Sequence, residues 1–259
     1  MEKVIVPLNA FDSIEVLKKG QAAFIELIAN SGAFGVEIRR ELFHGDDFQL
    51  EKLKNETEKY QLFTVYSAPI ELWKPDHSLN TKELMMVTEE GLALGANWIK
   101  VSLGHFEKFK SNIQELNRFL IPFPDFQFLV ENDQTLYGGN VKQLKLFFES
   151  AHHFHVPIKM TFDVGNWTYT NEDVESALHE LAPFVQYVHL KQVENMNGEF
   201  ITVPLDTEGK LGWMKVINQF PNYLVKALEF PIQPKEKTKE FVELVKNFTN
   251  ERKKELCNS

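Results

Sequence analysis

Eight short runs rich in β-branched and aromatic residues recur along the chain at a nearly constant interval, and no other feature restricts its fold so tightly. They cover residues 3–8, 34–39, 62–67, 97–103, 126–131, 157–163, 186–191 and 223–229, with starts 31, 28, 35, 29, 31, 29 and 37 positions apart. A βαβ unit takes about 30 residues, so each interval has room for one strand and one helix. The intervals carry helical patterns. Ser13 offers an N-cap to a periodicity running through Ile28, with Gly32 as its stop. Residues 50–60, 81–94, 107–120, 141–154, 171–181, 211–220 and 235–254 carry the rest, several ending at Gly95, Pro122, Pro157, Pro183 or Pro221. Strands alternating with helices imply a parallel sheet. Eight such repeats fit a single (β/α)8 barrel, the TIM-barrel architecture, better than a doubly wound sheet. The doubly wound alternative usually carries a glycine loop after its first strand. Here that stretch reads Pro7-Leu8-Asn9-Ala10-Phe11, and Gly138-Gly139 lacks the lysine and hydroxyl of a phosphate loop and reads as a turn.

The 259 residues show no long linker, low-complexity stretch or change of composition, so one domain is expected over 1–259. Hydrophobic residues at 43% and charged residues at 25% suit a globular protein with a sizeable core. The lone Cys257 excludes an internal disulfide framework and a cysteine zinc site. A net charge of −9 withholds the basic footprint that nucleic acid or an anionic membrane requires. No apolar run reaches the roughly 18 residues of a membrane span. The first residues enter a strand-like segment without a signal-peptide pattern, so a cytoplasmic location is expected. Self-association into a homo-oligomer is left open.

In a barrel, alternate strand residues face the pore, and chemistry gathers at the C-terminal strand ends. Applied to the last four runs, that rule selects one ionisable residue from each. Phe128 and Val130 face the helices and leave Glu131 inward; Met160 and Phe162 do the same for Asp163. Val188 and Leu190 leave His189 inward, and Leu228 leaves Glu229 inward. A lone carboxylate at a strand end often caps a helix, but four in phase on consecutive strands point to a divalent metal. Crowded buried carboxylates repel unless a cation neutralises them. Oxygen-rich ligation with one nitrogen suits manganese, cobalt, zinc or magnesium. His152, His153 and His155 fall at the end of a helix on the opposite face, where dipole contact or solvent explains them. Other inward rim positions are Glu37, Arg39, Lys100 and Lys191, with Arg39 and Glu37 a candidate ion pair. Charged residues inside a barrel are rarely structural unless paired. His77 and Trp73, in the third βα loop, and Trp167 are placed to cover a substrate or simply to pack the loops.

At these residues the chain resembles the xylose isomerase-like TIM-barrel superfamily of sugar and sugar-phosphate isomerases and epimerases, inosose dehydratases and apurinic endonucleases. The resemblance spans Val4 to about Phe248. It rests on Val130-Glu131-Asn132-Asp133-Gln134-Thr135, Thr161-Phe162-Asp163-Val164-Gly165-Asn166-Trp167, Val188-His189-Leu190-Lys191 and Leu228-Glu229-Phe230-Pro231. Val36-Glu37-Ile38-Arg39-Arg40-Glu41-Leu42-Phe43 and the Glu131 segment look most like a bacterial ketogluconate-utilisation epimerase-like subgroup. Asp206-Thr207-Glu208-Gly209-Lys210-Leu211-Gly212-Trp213 resembles the superfamily's glycine-containing loop. The resemblance implies one divalent ion on Glu131, Asp163, His189 and Glu229, with Glu131 and Glu229 as the acid–base pair. Two positions depart from the ketose epimerases, which carry histidine where Asn166 stands and arginine where Asn195 stands.

The expected chemistry is proton abstraction next to a carbonyl, through an enediolate, on a small sugar, sugar acid or sugar phosphate. Arg39, Lys100, Asn166, Trp167, Lys191 and His77 are the expected substrate contacts. The alternatives are a metal-dependent dehydratase of the inosose type and a non-catalytic ligand-binding barrel.

Overall fold

The computed structural model describes residues 2–45, 48–206 and 212–258. Its strands are β1 (Val4–Pro7), β2 (Gly35–Arg39), β3 (Phe63–Trp73), β4 (Trp98–Gly104), β5 (Gln127–Glu131), β6 (Ile158–Asp163), β7 (Val185–Leu190), β8 (Gln192–Met196), β9 (Glu199–Val203) and β10 (Val225–Leu228). Eight of them close a barrel in the order β1-β10-β7-β6-β5-β4-β3-β2, every pair parallel. The chain is a (β/α)8 TIM barrel, and each of the eight expected runs supplies one barrel strand.

Helices fill the intervals, and the first is capped by Asp12 rather than by the expected Ser13. Asp12, Asn140 and Asp173 each accept a backbone N–H three residues on, opening Ser13–Lys19, Val141–His153 and Val174–Leu181. Thr81–Leu94 ends at Gly95, as the sequence predicts. Other boundaries differ. The first predicted helix breaks at Gly20, whose φ of 76° no helix accommodates, and resumes as Ile25–Asn30. The helix expected from residue 107 begins only at Ile113, because Ser111 closes a turn back onto Glu107. β3 runs on to Trp73, past a register shift between Ser67 and Glu71. Residues 207–211, the centre of the glycine-containing loop, lie outside the described residues.

The antiparallel hairpin β8–β9 was not expected. Its signal is present, however: Asn197-Gly198 both adopt positive φ, the dipeptide that two-residue hairpin turns favour.

Strand alternation divides the apolar interior in two. Val6, Val36, Ile38, Ile99, Phe128, Val130, Met160, Phe162, Val188, Leu190 and Leu228 point outward into one continuous core beneath the helices. Ile5, Val65, Leu129, Tyr187, Val225 and Ala227 fill the lumen as a separate cluster, with Phe34, Phe63 and Trp98 beneath. One or two steps further along the same inward rows stand the charged residues. The lumen is therefore a hydrocarbon plug with a polar chamber above it.

Candidate metal centre and active site

Glu131 ends β5, Asp163 ends β6, His189 is the penultimate residue of β7, and Glu229 follows β10. One ligand atom from each lies within 4.8 Å of the others, a group that can hold a metal ion. The contacts identify the atoms. His189 Nδ1 is 2.8 Å from Glu229 Oε2, 2.9 Å from Glu131 Oε1 and 3.8 Å from Asp163 Oδ2. The remaining oxygens are engaged elsewhere. Asp163 Oδ1 accepts the N–H groups of Gly165 and Asn166, Glu131 Oε2 accepts from Lys100, and Glu229 Oε1 accepts from Asn9 and Arg39. Nδ1 carries at most one hydrogen, and Glu229 Oε2 is placed to take it. Glu131 Oε1 and Asp163 Oδ2 are thus left buried with no aligned donor. Buried polar atoms rarely go unsatisfied. Two buried carboxylate oxygens without an aligned donor, one of them 2.8 Å from the Lys191 ammonium, face an imidazole nitrogen and fit a divalent cation, and the donor set suits a hard or borderline ion.

His189 is oriented from behind. Its Nε2 lies 3.0 Å from Glu37 Oε2, which also accepts from Tyr187 Oη at 2.8 Å. The Tyr187 ring meets the imidazole edge-on at 4.6 Å. Glu37 Oε1 takes Arg39 Nη1 at 2.8 Å and Lys100 Nζ at 3.2 Å. A carboxylate on the far nitrogen fixes the ring and leaves Nδ1 for the metal. Asp163 is held as firmly. The Asn132 side chain clamps its backbone, donating to the carbonyl at 2.9 Å and accepting its N–H at 2.8 Å.

The charges are buried and mutually dependent. Burial pushes Asp163 up to about 7, helped by Glu229 and Glu131 and opposed by Lys191. Burial also opposes ionisation of Glu37, Glu131 and Glu229, but neighbouring cations outweigh it and hold all three below the usual carboxylate range. For Glu37 and Glu131 the leading cation is Lys100, and for Glu229 it is Lys191. Burial and Lys100 lower His189, yet Glu229, Glu37 and Glu131 raise it well above 6.5. A metal ion would replace the proton on Nδ1.

A cavity of about 330 Å³ opens above this group, lined by Arg39, Lys100, Asn166 and Lys191 with Asn9 and Gln134. Trp167 and His77 do not line it. Trp167 is fully buried against Phe162 in the helix layer, and His77 is turned onto the carbonyl of His105. Trp73 is likewise buried. His152, His153 and His155 are exposed at the far end of their helix. Arg39 and Glu37 form the ion pair considered above, but the bond from Glu37 to His189 had no sequence signal. Neither did the Asn132 clamp nor the bond from Asn9 to Glu229. All are contacts between strands or loops far apart in sequence.

No family model and no curated protein sequence matches the chain. Solved structures do. The chain is similar to a probable 3-DHS dehydratase, AsbF, of Bacillus anthracis at 14% identity and a TM-score of 0.65, covering 95% of this chain and 99% of that one. It is similar to an L-ribulose 3-epimerase at 13% identity and 0.64, covering 100% and 99%. Endonuclease IV from Thermus thermophilus matches at 18% identity and 0.63, covering 96% and 99%. At such identities the likeness establishes the fold alone, a (β/α)8 barrel.

Proposed function

We propose that the protein is a metal-dependent isomerase or epimerase of a small sugar, sugar acid or sugar phosphate. The observation that carries this reading is the convergence of His189 Nδ1 with Glu131 Oε1, Asp163 Oδ2 and Glu229 Oε2, two of these oxygens lacking a donor. Epimerases, a dehydratase and an endonuclease share the fold, and the net charge of −9 disfavours a nucleic-acid substrate.

A divalent ion held by these four residues would supply Lewis-acid stabilisation to negative charge developing on substrate oxygens. Glu131 ends β5 and Glu229 follows β10, three strands apart, with Asp163 and His189 between them. Both are kept ionised at neutral pH by adjacent cations, so either serves as the base that removes a proton beside a carbonyl. Return of that proton by the same carboxyl to the neighbouring carbon is isomerisation; for epimerisation the other carboxylate first takes a proton from solvent and delivers it to the opposite face. Loss of a hydroxyl instead gives dehydration, the activity named for the Bacillus anthracis protein. Arg39, Lys100, Asn166 and Lys191 orient the substrate from the cavity wall.

The test is solvent exchange. With Mn²⁺ and a panel of keto-sugars, sugar acids and sugar phosphates in heavy water, deuterium should enter the carbon next to the carbonyl of the true substrate. Saturable binding without exchange would instead make the barrel a ligand-binding module.

A further inference from the structure

We propose that Lys191 is a counter-cation of the metal centre that a divalent ion must displace, so that metal loading moves its ammonium from the ligand oxygens to the cavity wall. The inference rests on the metal reading above and concerns how the site is loaded.

Lys191 Nζ lies 2.8 Å from Asp163 Oδ2 and 3.0 Å from Glu229 Oε2. These are two of the four atoms that face the centre. The ammonium also donates to Asn166 Oδ1, at 3.2 Å. An ion on those oxygens would sit within a few ångströms of the ammonium, and like charges at that range repel strongly in a buried site.

Arg39, Lys100 and Lys191 are the cations facing Glu37, Glu131, Asp163 and Glu229, with Arg39 shared also by Glu41, and a divalent ion would bring two further positive charges to oxygens that Lys191 already serves. Arg39 and Lys100 are poorly placed to withdraw. Arg39 Nη1 is bonded to both Glu37 and Glu229, and Lys100 is sealed in at 2% side-chain exposure.

Lys191 has somewhere to go. Its stem crosses Gly165, where a Cβ would stand 2.6 Å from Lys191 Cγ, so only glycine leaves the slot open. The residue forms part of the wall between the substrate cavity and a second one of about 510 Å³, whose described lining includes Glu172, Asp173 and Glu194.

The test is Mn²⁺ affinity by competition with a chromophoric chelator, comparing wild type with Lys191→Met, which keeps the stem and removes the charge. The variant should bind Mn²⁺ tighter, on the order of tenfold or more, because a repelling unit charge has gone. Equal or weaker affinity than wild type overturns the proposal and leaves the metal reading standing; failure of both proteins to bind overturns both. A second measurement needs no variant. Acetic anhydride labelling of wild type, read at Lys191 by mass spectrometry, should be faster with Mn²⁺ than with chelator, and an equal or slower rate also overturns the proposal.

Discussion

The two halves of the lumen are built by the same strands yet follow opposite chemistry. In the lower half Ile5, Val65, Leu129, Tyr187 and Val225 meet without a charge among them. Two residues further along, β5 exchanges Leu129 for Glu131 and β7 exchanges Tyr187 for His189. β10 passes from Ala227 to Glu229. The lower half excludes water and gives the upper half an apolar floor. Over that floor Asp163 rises to about 7, and ion pairs act at close range. Tyr187 joins the halves: its ring packs on Trp98 at 5.7 Å, and its hydroxyl holds Glu37. An apolar floor thus lies below and the candidate reactive groups above, one inward-facing residue apart.

If that division holds, changes above the floor should alter function first and changes within it should alter stability first. The largest effect is expected from Glu131→Gln and Glu229→Gln, which keep a coordinating oxygen but remove the base. Each should lose turnover by a factor on the order of 10²–10⁴ while retaining Mn²⁺ and ligand binding. The two should differ in kind, one abolishing exchange of the substrate proton with solvent and the other permitting exchange without product. Near-normal turnover in both would make them ligands alone and send the search for the base to Lys100 and Lys191.

Asp163→Ala and His189→Ala should weaken Mn²⁺ binding by more than about 100-fold, beyond the range typical of losing an outer partner. His152→Ala should leave it unchanged, since that residue lies away from the rim. Equal metal content in all three would refute the assignment. In the floor, Leu129→Ala should lower unfolding free energy by about 2–5 kcal/mol, measured by urea denaturation, yet barely change Mn²⁺ affinity. A large affinity loss there would show that the floor shapes the centre directly.

The pH dependence follows from Asp163. Protons compete with metal for its carboxylate, so Mn²⁺ affinity should fall as pH drops through about 7. With chelator the sign for stability is opposite. A carboxyl raised in the folded state contributes stability below its unfolded value, and that contribution is lost as pH rises through about 7. Thermal melts across pH, with and without Mn²⁺, check both. The smallest effect is expected from Tyr187→Phe, which keeps the floor's ring and removes one bond to Glu37. It should cost about 1 kcal/mol of stability, and a null result would uncouple the two halves.

Much of this arrangement is written locally in the chain. A barrel of eight units follows from strand runs recurring near every 30 residues, because helix and strand periods are properties of neighbouring residues. The four candidate ligand positions follow as well, since alternation along a strand settles which face Glu131, Asp163, His189 and Glu229 present. Even the unexpected hairpin had a local mark in Asn197-Gly198. Contacts across the lumen had none. Glu37 and His189 are 152 residues apart, and only closure of the barrel brings a carboxylate to the far nitrogen of that imidazole. The same closure sets Lys191 on Asp163 Oδ2 and Glu229 Oε2. It leaves Trp167, outwardly as plausible a substrate contact as Asn166, buried against Phe162. Spacing along a strand encodes the direction of a side chain; its partner across the barrel depends on how eight strands tilt and stagger together, which no single segment carries.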